Sequence, residues 1–211
     1  MFSDRADAGR QLAEALERFR SAHPLVLALP RGGVVVGTEI ARALACDLDV
    51  ALVKKLRAPG SPELALGAIG EGGTVFLNHE IVDLTNADQA YVEDEIKERQ
   101  HEISEQIQHY RRRKPKIPIA GRTVILTDDG LATGATMIAA VRATESGRPL
   151  RLVVAVPVAA PEAMRLVQAM KQVDEVACLL VPAWFEGVGQ FYSDFAQVDD
   201  EEVIAILNEF A

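Results

Sequence analysis

The segment Val124-Ile125-Leu126-Thr127-Asp128-Asp129-Gly130-Leu131-Ala132-Thr133-Gly134-Ala135-Thr136 is where chemistry concentrates. A hydrophobic run delivers two adjacent carboxylates, a loop of small and hydroxyl residues follows, and then a helix begins. Each part suits a sugar phosphate. A helix start offers unpaired N–H groups and a positive dipole end to a phosphate. Ala132, Gly134 and Ala135 let backbone approach closely, while Thr133 and Thr136 add hydroxyl donors. Side-by-side carboxylates repel, so they want hydroxyls or a cation, and the vicinal diol of a ribose supplies the first. The bland alternative is a polar strand end with Thr133 as an ordinary N-cap. It accounts for the aspartates alone but not for the whole arrangement. The sugar reading requires both carboxylates to be open, with a cavity beside the turn, rather than buried in ion pairs.

Other chemistries find less support. Gly67, Gly70, Gly72 and Gly73 do not follow G-x-G-x-x-G, and neither a P-loop nor a G-x-S-x-G elbow is present. His23, His79, His101 and His109 have no metal-ligand spacing, so no zinc site is expected. Cys46 and Cys178 stand alone and read as reduced core thiols of a cytoplasmic protein.

The elements that must position the acid pair read as alternating strands and helices. A helix over 5–22 precedes a buried strand, Leu25–Leu29, that breaks at Pro30-Arg31-Gly32-Gly33. A helix over 34–45 leads to a second buried strand over 49–54. Residues 56–63 read as a loop, and 65–69 and 74–77 as short strands around a glycine turn. Residues 86–113 form a helix with Tyr91, Ile96, Ile103, Ile107 and Tyr110 as its apolar stripe. Its terminal Arg111-Arg112-Arg113-Lys114 suits the dipole and solvent. A second series runs through a strand at 123–127, a helix at 134–146, and strands at 152–156 and 175–181 around a helix at 161–171. A last helix starts near Asp199. This pattern predicts a doubly wound, mainly parallel α/β sheet flanked by helices, with ligands outside the carboxyl strand ends.

With 211 residues, 49 % of them hydrophobic, the chain has material for a real core. One domain is expected over 1–211, with a core at about 24–181 and a small hood at about 182–198 plus flanking segments. No apolar stretch is long enough to span a membrane, and the first residues lack a secretory pattern. Of 31 acids, nine lie after Lys171, where there is no Lys or Arg. The net charge of −9 disfavours broad nucleic-acid binding.

The 124–136 segment resembles the phosphoribosyl-diphosphate (PRPP) motif of type I phosphoribosyltransferases. Leu29-Pro30-Arg31-Gly32-Gly33 is similar to that family's diphosphate loop. Val53-Lys54-Lys55 before a Pro/Gly loop is similar to the strand entering its flexible catalytic loop, and Trp184-Phe185 with Phe191-Tyr192-Ser193-Asp194-Phe195 to its hood. The ensemble is most similar to stand-alone bacterial members whose acceptor is undetermined. The resemblance implies Mg²⁺-dependent transfer of 5-phosphoribosyl from PRPP to a nitrogenous acceptor such as a nucleobase, within nucleotide metabolism. Asp128 and Asp129 would hold the ribose hydroxyls. Leu131, Ala132, Thr133, Gly134, Ala135 and Thr136 would cradle the 5-phosphate. Arg31, Gly32 and Gly33 would bind diphosphate, the glycines in a strained conformation. Lys54 and Lys55 alternate in direction, so one of them would reach the diphosphate. Glu63 would assist proton transfer, and Trp184 and Phe185 would stack on the acceptor. Mg²⁺ would be held mainly by substrate oxygens and water, without a dedicated cage. The fold class allows a homodimer by analogy. The alternative is a non-catalytic PRPP- or nucleotide-binding regulator.

Overall fold

The computed structural model describes residues 1–112 and 114–210, with Pro62 and Glu63 described at the backbone alone. Five short apolar runs form one parallel sheet: β1 (Leu25–Ala28), β2 (Asp47–Val50), β6 (Thr123–Thr127), β7 (Arg151–Val158) and β8 (Glu175–Leu180). The order is β2-β1-β6-β7-β8, and every pairing is parallel. β1, β6 and β7 are mainly apolar because both faces are covered, whereas β2 carries Asp47 and Asp49. Val26, Ala28, Ile125 and Val153 join one core, shared with helices α1 (Arg5–Leu16) and α2 (Gly32–Leu44). Their neighbours Leu25, Leu27, Val124, Leu126 and Leu152 join a second, beneath α5 (Ala135–Glu145) and α6 (Pro161–Gln168). The alternation of strand side chains thus divides the two layers. This is the expected doubly wound arrangement.

From β1 the chain passes through α2 to β2 at one edge, then returns to place β6 on the other side of β1. The carboxyl ends of β1 and β6 therefore flank the switch point, where such sheets bind ligands.

Between β2 and β6 lies a separate antiparallel sheet of β3 (Val53–Ala58), β4 (Ser61–Gly70) and β5 (Val75–Leu77). Residues 56–63, expected as a loop, instead form a hairpin that turns at Pro59-Gly60, with Gly60 at φ +66°. The prolines sit at its tip, where register shifts beside Arg57 relax the ladder. The strand expected over 49–54 is two strands, because the chain leaves β1 after Ala51, whose N–H bonds Ala28 O. The helix expected over 5–22 ends at Leu16 and continues as a 3-10 turn to Ala22.

After a short helix α3 (His79–Thr85), the long helix α4 runs Gln89–Tyr110, capped by Asp88. Its buried face includes Ile103 and Tyr110 of the expected stripe, whose Tyr91, Ile96 and Ile107 pack half-buried against the same core, but also Val92, Glu95 and Arg99, which the stripe did not contain. Of the basic run at its end, Arg112 is exposed as expected and Arg113 lies outside the described residues, but Arg111 and Lys114 are not solvated. Arg111 pairs with the fully buried Asp49 and makes a bidentate contact to Glu71 (Nε–Oε1 2.9 Å, Nη2–Oε2 2.8 Å). Lys114 is buried and donates to Phe210 O at the end of the last helix, α7 (Asp200–Glu209). Glu71 thereby ties the β4–β5 turn to α4 and β2.

The tail after β8 forms a small lobe with the first residues of the chain. Phe2 and Tyr192 pack with Phe185, Val188 and Phe191. Phe2 N donates to Phe191 O, and Ser193 N donates back to Phe2 O. Among the described residues, no helix is long and apolar enough to cross a membrane.

Candidate functional site

The acid pair stands at the tip of β6 against the first turn of α2. A Cβ at Gly32 would lie 2.0 Å from Asp129 Oδ2, and one at Gly33 would lie 2.8 Å from Asp128 Cα. Glycine is required there by close approach. Both residues are helical, so the expected strained glycine loop is a helix start. The helix begins two residues earlier than expected because Val34 N reaches Arg31 O at 3.0 Å. The Pro30–Arg31 peptide preceding it is cis. The positive end of α2 thus faces two carboxylates.

Burial, and after it the charge of Asp129, raises Asp128 well above the ordinary carboxylate pKa. Its Oδ1 accepts the Asp129 N–H at 2.8 Å. Burial also raises Asp129, opposed by Arg5. Arg5 Nε lies 2.7 Å from Asp129 Oδ2, with side chains 11 % and 16 % exposed. Arg5 also donates to Ala196 O (2.7 Å), and its guanidinium lies 3.8 Å over the Phe195 ring. Tyr192 Oη donates to Asp129 O at 2.6 Å. The requirement for two open carboxylates is therefore not met at Asp129, whose Oδ2 is engaged. Arg5 escaped the sequence analysis because nothing local marks a contact spanning 124 positions.

The loop after the acids is pinned by Leu131, whose N–H donates to Val158 O and whose carbonyl accepts from Ala160 N. Ala132, Thr133 and Thr136 are exposed. Gly134 caps α5 at φ +76°, a conformation that favours glycine. Thr133 Oγ1 accepts from Ala135 N at 3.3 Å. The first turn of α5 consequently opens to solvent with donors suited to an anion.

A polar cleft of about 250 Å³ lies between the β1 tip, α5 and the hairpin, lined by Pro30, Lys54, Lys55, Arg57, Glu102 and Thr136 among others. Both lysines line it, and Lys54 Nζ pairs with Glu102 Oε2 at 3.1 Å. Thr133 and Ala135 line a different groove, between α5 and β4. Arg31 is exposed. The Glu63 side chain lies outside the described residues. Trp184 is 76 % exposed, fixed by its indole N–H to Glu186 and by Gln190 on its carbonyl. Phe185 packs on Phe191 with ring centroids 5.5 Å apart. Of the two, Trp184 is therefore the aromatic that presents its ring. Burial pushes the thiols of Cys46 and Cys178 up to about 12 and about 11, which removes both as nucleophiles at neutral pH.

The phosphoribosyl transferase domain family matches residues 4–196. The chain is 41 % identical over 208 residues to Rv0571c of Mycobacterium tuberculosis, a protein provisionally named a phosphoribosyl transferase. That alignment takes in 99 % of this chain and 46 % of the relative, so the chain spans about half the length of the curated relatives it matches. A crystal structure of TT1426 from Thermus thermophilus is similar over 100 % of this chain and 99 % of its own, with 49 % identity and a TM-score of 0.93. A Neisseria gonorrhoeae protein crystallised with ppGpp shares the fold at 11 % identity, with a TM-score of 0.52 over 99 % of this chain and 94 % of its own.

Proposed function

The chain belongs to the phosphoribosyl transferase family, and from that premise we propose that it transfers 5-phosphoribosyl from PRPP to a nitrogenous acceptor, releasing diphosphate. The acceptor nitrogen attacks the ribose C1, the C1–O bond breaks, and its electron pair leaves with diphosphate. The displaced proton passes from the acceptor to solvent or to Glu63. The observation that carries the reading is convergence at the switch point. The start of α2, the β6 tip with its acid pair leading into α5, and the lysines of β3 are contributed by three separate segments to one end of the sheet.

In this reading the backbone from Leu131 to Thr136 holds the 5-phosphate, and Thr133 and Thr136 donate to it. Asp128 and the free oxygen of Asp129 bond the ribose hydroxyls. Arg31, the first turn of α2 at Gly32-Gly33, and Lys54 or Lys55 neutralise the diphosphate. Trp184 offers the acceptor a stacking face. This is catalysis by positioning and charge, with little covalent work for the protein. Mg²⁺, held mainly by substrate oxygens and water, would neutralise the leaving diphosphate. The same proposal takes residues 1–211 as one unit, acting in the cytoplasm and paired as a homodimer by analogy with this fold class.

The test is PRPP binding by calorimetry, followed by diphosphate release with Mg²⁺ and a panel of nucleobases. Binding with turnover is expected, and absence of both would refute the reading. The Arg5–Asp129 ion pair favours a second reading, a non-catalytic PRPP- or nucleotide-binding regulator. Tight PRPP binding without turnover on any acceptor would select it.

A further inference from the structure

The reading above leaves α4 without a role, yet α4 forms one wall of the polar cleft. Arg99 and Glu102 lie one turn apart and both line it. Arg99 is 3 % exposed and anchored by three acids of its own helix: its Nε is 3.2 Å from Glu95 Oε1, and its two terminal nitrogens pair with Glu98 and Glu102. Glu102 is bidentate across two elements. One oxygen is on Arg99, and the other is 3.1 Å from Lys54 Nζ on β3. These two cations differ in freedom. Arg99 is buried and keeps Glu95 and Glu98 whatever Lys54 does. Lys54 is 29 % exposed on a flexible stem and can turn further into the cleft.

Resting on the PRPP reading, we propose that Glu102 is a positioning residue: an internal counter-anion that holds Lys54 over the cleft and that diphosphate must displace from it. Glu102 stays on Arg99 when Lys54 leaves, because the buried guanidinium retains it. An incoming diphosphate then finds Lys54 at the cost of one ion pair and with a carboxylate still nearby. Both effects weaken diphosphate binding, which favours release of the product. Burial alone would raise the Glu102 pKa, and Lys54 and Arg99 together hold it below the ordinary value, so the carboxylate is charged at neutral pH.

The experiment is calorimetric titration of inorganic diphosphate with Mg²⁺ into the wild-type chain, Glu102→Gln, Lys54→Gln and the double variant. Glu102→Gln should bind diphosphate about five- to tenfold tighter, as expected from removing a like charge and freeing an ammonium beside a multiply charged anion. In the Lys54→Gln background the same change should tighten binding by clearly less, since a like charge is removed but no ammonium remains to be freed. Glu105→Gln, the same change of charge one turn along without the bridge to Lys54, should leave affinity within about twofold, as an exposed charge does. Should Glu102→Gln fail to fold, Glu102→Asp takes its place. It keeps the charge on a stem one methylene shorter, which cannot span both Arg99 and Lys54, and should tighten binding by less. Unchanged affinity in the Glu102 variants, or equal tightening with and without Lys54, overturns the proposal while leaving the PRPP reading in place. Wild-type protein that binds neither diphosphate nor PRPP overturns both.

Discussion

Replacing Arg111 by Met tests whether a buried charge centre holds the hairpin that carries the candidate lysines. Arg111 is 8 % exposed and makes four polar contacts: two to Glu71, one to Asp49 and one to Val50 O at 3.2 Å. Asp49 is wholly buried; besides Arg111, its oxygens meet the backbone N–H groups of Val50 (2.8 Å) and Ile117 (2.9 Å). Methionine fills a similar volume, so packing changes little, but two carboxylates lose their guanidinium. Lys116 remains near Glu71, at 3.9 Å, whereas Asp49 has only neutral donors left. Breaking a buried pair from one side costs about 3–5 kcal/mol. At about 2–4 °C per kcal/mol for a chain this long, the melting temperature should fall by about 6–20 °C. Thermal unfolding followed by circular dichroism reads this directly. Asp49→Asn in the same chain should restore part of the deficit, because it removes the buried charge left without its guanidinium. A melting temperature within about 2 °C of wild type would show that water or rearrangement compensates, and that this network does not anchor the hairpin.

Two further outcomes follow from the acid pair. Gly33→Ala forces a methyl against the backbone of Asp128, which no rotamer change relieves, and should cost about 1–3 kcal/mol in urea unfolding. A neutral result would mean that α2 slides easily against β6. Asp128→Asn should raise stability near neutral pH while weakening PRPP binding. The folded pKa of Asp128 stands above its ordinary 3.8, so the folded chain binds that proton more tightly than the unfolded one. Wild-type stability therefore drains away as pH climbs from about 4 through the raised value, and the amide escapes this loss. The two melting curves should converge at about pH 3–4, and a gap that persists there would contradict the burial argument.

The sheet was legible because its strands are covered on both faces, so β1, β6 and β7 read as unbroken apolar runs. The strand–acid–loop–helix order likewise placed Asp128, Asp129 and the start of α5 together. The hairpin was hidden by Pro59 and Pro62, whose composition signals a loop wherever a ladder is short enough to tolerate them. The role of Arg111 was hidden for a different reason. A basic residue at a helix end has a sufficient local explanation, and only the fold brings Asp49 and Glu71 to it. Apolar periodicity located Ile103 and Tyr110 on α4 but not Glu95 and Arg99 beside them, since a buried ion pair can replace a hydrophobic step. Arg5 on Asp129 depends on the two ends of the chain meeting, which no window of sequence contains.

That meeting of ends imposes an order of assembly. β8 is complete at Leu180, before the tail that Phe2 and Arg5 must clasp has been added. Closing so long a loop is entropically late in any route to the native state. Once residues 191–196 are in place, the contacts of Phe2 and Arg5 with them can draw the lobe over the acids.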